Sequence, residues 1–306
     1  MFLQSYTNVY FHAQAVHSET FINLNVLLIM KKTSCLIGML LLLTATQFSC
    51  QQSDESTAST IDKRVSSDVQ AKLVSLGFDV TNKAPFKFEG GYLVEGDIYL
   101  TDKDLAEMKA GARVPEVEQY STNNLVTATP RNIKVYKSST TFGSTNISAL
   151  DVAIARYNAQ GLALTFTRVT SSSGANMKFA TLSRIDENSG VLGSSGFPTS
   201  SGNPYGTIQM SRILVSTYGL TVNGIATIMA HEMGHCIGFR HTDYYNRAIS
   251  CGGSASNEGA STVGANLIPG TPSTATNAAK SWMLACTDGG DRPFNTDDKV
   301  ALNYLY

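Results

Sequence analysis

The sequence predicts an α/β fold over residues 133–306, and three observations carry that reading. Short stretches such as LTFTRV (Leu164–Val169) and MKFATL (Met177–Leu182) alternate with the period of half-buried strands. Apolar residues at helical spacing stand between them, so strands and helices interleave around one sheet. Charged residues are only 15% of the chain, against roughly 25% in an average soluble domain, which leaves ample apolar material for a core.

Taken in order, Asp68–Leu76 has helical spacing, with Val69, Leu73, Val74 and Leu76 apolar. Gly90–Thr101 alternates as one strand, and Asp102 to Asp104 open a short helix over Leu105 and Met108. Residues 111–132 are polar and Pro-bearing, and read as a linker or cleavage region. IKVY (Ile133–Tyr136) is the next strand, followed by a helix capped by Ser148 and running to Asn158. Gly190–Gly206 reads as a Gly/Ser/Pro loop, TIQMS (Thr207–Ser211) as a strand, and Val222–Ile237 as a helix with few breakers. A Gly/Ser/Thr/Pro loop covers 250–280, and Thr296 caps a last helix.

The net charge of −1 over 306 residues excludes the basic stripe that nucleic-acid binding needs. No apolar run reaches the roughly 18 to 20 residues of a spanning helix. Met30, Lys31, Lys32 and an apolar stretch from Leu36 to Ala45 compose an export signal over 30–50, which makes 1–29 an upstream extension of the gene model. Ser49-Cys50 before a polar, acidic run resembles a bacterial lipoprotein signal with Cys50 acylated, although Gln47 stands where such signals carry Leu. Ordinary signal cleavage nearby is the alternative. The expected location is the outer membrane or cell surface through a lipid anchor, or the secreted fraction. Residues 51–130 read as a tether and pro-segment, and 131–306 as the catalytic domain.

Subtracting the leader removes His12, His17, Cys35 and Cys50. The five Cys become three, which in an exported chain suggests one disulfide and one leftover thiol. Cys251 and Cys286 lie in loop-rich sequence and are paired here, leaving Cys236 as a small buried hydrophobe. The five His become three, all within HEMGHCIGFRH (231–241). His231 and His235 are one helical turn apart and point the same way, a spacing that lets both imidazoles bind one Zn²⁺. Glu232 falls beside them as general base for a metal-bound water, Gly238 ends the helix, and His241 arrives as third ligand. The full pattern arises by chance in about 1 in 10⁵ chains of this length.

This is the metzincin pattern, HExxHxxGxxH followed by a Met-turn, for which Ser281-Trp282-Met283 is the match with Met283 beneath the ligands. With GFRHTD (Gly238–Asp243), NLIPGTP (Asn266–Pro272) and the terminal Asp298–Tyr306 run, the chain most closely resembles the secreted bacterial dual-action HEIGH metallopeptidases, with HEMGH in place of HEIGH. The resemblance implies a twisted mixed sheet, an active-site helix and a loop-rich C-terminal subdomain. It also implies an edge strand, TIQMS, that pairs with an extended protein or peptide substrate. One departure is Ala285, which stands where astacin-type metzincins carry a Tyr ligand; Tyr244 and Tyr245 are candidate substitutes.

VEGDI (Val94–Ile98) resembles the aspartate-switch phrase of astacin pro-segments, which would make Asp97 a carboxylate cap on the zinc. The same phrase also reads as a hairpin turn beside an unrelated strand. The function expected is a zinc endopeptidase with one catalytic Zn²⁺, made as a precursor. The alternative is a non-catalytic, zinc-binding surface lipoprotein on the same fold.

Overall fold

The computed structural model describes residues 62–81, 83–108, 119–258, 263–272, 275–276 and 279–306. The export signal, Cys50 with its lipidation, nearly all of the tether and 109–118 of the linker lie outside those residues.

The N-terminal part builds a small unit of its own. Ser66 caps α1 (Ser67–Leu76) by accepting from the Val69 amide, and Gly77 ends it in the left-handed region. Strands β1 (Phe86–Phe88), β2 (Gly91–Val94) and β3 (Ile98–Leu100) form an antiparallel sheet, and α2 (Asp102–Glu107) follows on a Thr101/Asp104 capping box. The single strand expected at Gly90–Thr101 is therefore a hairpin. Glu95 and Gly96 turn the chain at φ 58° and 101°, and Val94 pairs with Ile98. Leu73, Leu76, Phe78, Val94, Ile98 and Leu100 close a core over which Phe197 and Val263 also pack.

Tyr120–Ser121 forms β4, and β5 is Arg131–Lys137. Helix α3 (Ser139–Asn158) starts at Ser138, not at the expected Ser148, and carries a break at Gly143, whose φ of 75° is outside the helical region. Next come β6 (Leu164–Val169), β7 (Met177–Thr181), α4 (Arg184–Asn188), β8 (Gly193–Ser194) and β9 (Thr207–Met210). Helices α5 (Val222–Ile237) and α6 (Ala248–Cys251), strand β10 (Asn266–Leu267) and α7 (Thr296–Leu305) complete the described chain. The cap of α7 is Asn295, one residue before the expected Thr296, because its side chain reaches the Asp298 amide at 2.7 Å.

The main sheet has the order β6-β5-β7-β9-β8, parallel except for the antiparallel β8–β9 pair. TIQMS is therefore an inner strand, and the edge is β8, inside the stretch expected to be a loop. Helix α5 lies buried from Gly224 to Ile237, so its apolar character runs all the way round. Tyr157 of α3 donates to the Ala230 carbonyl of α5 at 2.7 Å.

The linker expected at 111–132 is also corrected over its second half. Gln119 and Tyr120 are fully buried, β4 pairs with β10, and Tyr120 accepts from the Arg240 amide at 2.9 Å. Cys251 and Cys286 form the expected disulfide, and Cys236 is a buried free thiol.

Gln119 reaches the carboxylate of Asp298, which also accepts from the Trp282 and Asn295 amides. Burial pushes the Asp298 carboxyl up to about 6 despite these donors. A folded-state value above the unfolded one near 3.8 means that the protonated form favours folding. Its stabilisation is complete below about pH 4 and lost as pH rises through 6, an effect on the order of 2–3 kcal/mol. Asp298→Asn is expected to begin less stable, having lost an acceptor, but to lack that slope between pH 4 and 7 in denaturant titrations.

Candidate metal centre

The site begins with the end of α5. Gly238 takes φ 111°, and its amide donates to the Gly234 and His235 carbonyls. A Cβ there would lie 2.8 Å from Leu125 and meet the left-handed penalty as well, so only glycine turns the chain this tightly. The turn returns His241 to the face that carries His231 and His235. Their Nε2 atoms, with one carboxylate oxygen of Asp97, all lie within 4.8 Å of one another.

Each imidazole is fixed through its other nitrogen. Nδ1 of His231 donates to the Trp282 carbonyl at 2.9 Å, Nδ1 of His235 to the Phe239 carbonyl at 2.9 Å, and Nδ1 of His241 to Glu258 at 2.6 Å. Three acceptors fix three Nδ1–H tautomers, which leaves three Nε2 lone pairs aimed inward. Nε2 of His235 and His241 are 3.2 Å apart. Two lone pairs at that distance repel unless a cation lies between them, and tetrahedral Zn²⁺ with Zn–N of about 2.0–2.1 Å sets its ligands about 3.3–3.4 Å apart. Asp97 Oδ2 stands 2.9 Å from His241 Nε2 and 3.6 Å from His231 Nε2, the place of a fourth ligand. The donor set and its spacing fit zinc.

Electrostatics agree with a cation at this point. Burial holds His231 and His235 below the ordinary imidazole range, the neutral form that ligation requires. Burial would lower His241 too, but Asp97 and Glu258 outweigh it and push it up to about 10. Two buried carboxylates are thus arranged around a positive charge that a divalent ion would supply. Burial opposes ionisation of Asp97, yet the charge of His241 beside it holds its carboxyl well below the carboxylate range.

Met283 packs against α5 at Gly234. A Cβ on Gly234 would fall 2.6 Å from its sulfur, so α5 is thinned to seat the Met. The Trp282 indole donates to the Ala230 carbonyl at 3.2 Å, and the Met283 carbonyl accepts from Thr242 at 2.8 Å. Glu232 is fully buried on the same helix, and its Oε2 accepts from the Ser195 hydroxyl at 2.7 Å. Burial, then the charge of Asp97, pushes its carboxyl well above the ordinary value.

Tyr244 and Tyr245 are engaged elsewhere. The Tyr244 ring packs on Tyr120 at 4.2 Å, and the Tyr245 hydroxyl accepts from the Ala275 amide at 3.0 Å. Ala285 is buried and donates its amide to Asp243 at 2.9 Å.

The profile described as dual-action HEIGH metallo-peptidase matches residues 92–306. The chain belongs to the dual-action HEIGH metallo-peptidase family. It is accordingly a metal-dependent peptidase, and proteins or peptides are its substrates. The profile match takes in the β2–β3 hairpin with Asp97 as well as the catalytic part. Among solved structures, a crystal structure of myroilysin aligns at 14% identity and a TM-score of 0.35, covering 80% of this chain and 98% of that chain. A comparison with curated proteins gives no match.

Two groups in this HEIGH peptidase were not singled out from sequence. Glu258, with Arg247 and Arg240 beside it, lies in the loop after α6, where no spacing relates it to His241. Burial opposes its charge, but His241 and Arg247 hold Glu258 below the usual carboxylate range. Ser195 lies in what read as a featureless Gly/Ser loop.

Glu258→Gln keeps the shape but removes the charge behind His241. Zinc affinity is expected to fall by about 10- to 100-fold, measured by competition with a chelating dye. His231, whose Nδ1 faces a carbonyl, is untouched by that change.

Proposed function

We propose that this HEIGH peptidase is a zinc endopeptidase made as a latent precursor, with Asp97 as its blocking group. The convergence of Asp97 with His231, His235 and His241 is the observation that supports this reading. The three imidazoles would hold the ion. Bound Zn²⁺ supplies Lewis acidity, lowering the pKa of a water and polarising a peptide carbonyl. Glu232, buried on α5, would take the proton from the attacking water and deliver it to the leaving amine. The Trp282 carbonyl keeps the His231 imidazole in place while this happens.

The N-terminal unit occupies the cleft. Ser195 donates its amide to the Asp97 carbonyl at 3.1 Å and accepts from the Tyr99 amide at 3.0 Å, so β3 continues the sheet beyond β8. Arg247 adds a bond to the Glu95 carbonyl at 2.9 Å. Because Gln119 and Tyr120 are locked into the catalytic part, the releasing cut belongs between Met108 and Gln119. Export through the 30–50 signal, with or without acylation of Cys50, completes the proposal and suits a disulfide-bearing peptidase.

Two variants test this. Glu232→Ala, at zinc content equal to wild type, is expected to lose casein hydrolysis by at least 10³-fold. Equal rates would remove the mechanism. Asp97→Ala in the uncut chain is expected to hydrolyse casein where the uncut wild type is silent. An uncut Asp97→Ala protein as inactive as wild type, yet active after cutting, would sink the latency reading alone.

A further inference from the structure

Glu232 is held from the side by the edge strand. Its Oε2 accepts from the Ser195 hydroxyl at 2.7 Å, and the same hydroxyl lies 3.1 Å from the Glu232 carbonyl. Among the described residues its Oε1 has no hydrogen-bond partner, and it lies over Gly193. A Cβ at Gly193 would come within 2.6 Å of that oxygen and 3.1 Å of both Cδ and Cγ, so the Glu232 side chain would have to move off the strand. Gly193 therefore makes space for the carboxylate and Ser195 ties it down. Both residues are buried, and Ser195 is 1% exposed.

Ser195 also has a second set of bonds. Its amide donates to the Asp97 carbonyl just before β3, and its carbonyl accepts from the Tyr99 amide of β3. One residue thus reads the backbone of whatever strand lies in the cleft while its side chain orients the base. We infer that Ser195 is a positioning residue for Glu232, with Gly193 as its steric complement, and that the edge strand so couples peptide docking to placement of the general base. The inference rests on the zinc-peptidase reading. It adds that the geometry of the base is set by β8 as much as by α5.

A charge-assisted hydrogen bond of this length carries a substantial share of the orientation of a carboxylate. The active-site helix leaves Glu232 several rotamers, and without the bond the carboxylate would leave the strand. Only the correctly placed fraction then accepts a proton in the transition state, so kcat falls while substrate pairing, which uses the Ser195 backbone, does not.

The test uses the zinc-loaded full-length protein after processing to its active form, with labelled casein as substrate. Ser195→Ala is expected to lower kcat by about 10- to 100-fold, with KM within about twofold and zinc content unchanged. Ser195→Thr, which keeps the hydroxyl, is expected to recover at least about a third of kcat. Gly193→Ala, acting on the other oxygen, is expected to lower kcat with zinc retained. A crystal structure of Ser195→Ala in the uncut chain supplies a readout independent of activity, in which the Glu232 carboxylate has moved off the strand. The inference is overturned if Ser195→Ala keeps kcat within about threefold, if its loss follows zinc loss, if the threonine variant fails to rescue, or if the carboxylate stays in place. Wild type and Glu232→Ala are run alongside. A wild type without zinc-dependent hydrolysis would remove the peptidase reading itself, whereas an active wild type beside an equally active Ser195→Ala removes only this inference.

Discussion

At Gly238 the helix that carries two of the imidazoles stops and the chain doubles back within three residues to deliver the third. That reversal is the constraint on which the remainder of the centre depends. A left-handed φ of 111°, with Leu125 and Thr122 standing where a Cβ would need room, admits glycine and little else. The turn is in addition braced from outside. Thr122 donates to the Gly238 carbonyl at 2.8 Å, and Tyr120 accepts from Arg240. A segment from the other end of the domain, 119–122, thus holds the reversal in register. Without it His241 would sit on a free loop, and three lone pairs would have no reason to meet.

Around this turn, the acceptors for the imidazoles come from three separate parts of the chain. Trp282 approaches from the Met-turn, Phe239 from the helix exit and Glu258 from the loop after α6. The Met-turn is in turn tied to Asp243 and Ser250 through Ala285 and Cys286, and the Cys251–Cys286 disulfide closes the same corner. Ligand orientation is therefore a tertiary property even though ligand spacing is a local one.

That difference explains what the sequence could convey. His231, Glu232, His235, Gly238 and His241 are legible because helical geometry alone relates them, and Met283 because a short phrase accompanies it. Helices α1, α2, α5 and α7 were legible from period and caps within a few residues, whereas the cap of α3 lies ten residues before the expected one and α4 and α6 were not read. Glu258 was not, since only folding brings it to His241. The edge strand was missed for a more specific reason. Strands are recognised by branched and aromatic side chains, whereas β8 must be small where Glu232 approaches and hydroxyl-bearing where it binds. Gly193-Ser194-Ser195 satisfies the site and thereby erases its own strand signal. The hairpin at Glu95–Gly96 was concealed in the opposite way. Both of its arms alternate, and the turn between them preserves the alternation across the reversal.

On the proposed latency reading, the same hairpin has to act as a blocker rather than a substrate. Backbone pairing with Ser195 is indifferent to sequence, so it cannot by itself distinguish the two. What differs is the group delivered to the imidazoles. The Asp97 carbonyl is turned toward the edge strand, where it accepts from the Ser195 amide, and the carboxylate is the group left facing His231 and His241. The turn at Glu95 and Gly96, with both residues at positive φ, bends the chain away on one side while β3 follows the edge in parallel on the other. On that reading the position that a water or a substrate oxygen would need is filled by the Asp97 carboxylate oxygen, which has no leaving group. On the proposed reading, latency follows from which oxygen of a single aspartate points inward, and that choice is made by the hydrogen bond to Ser195.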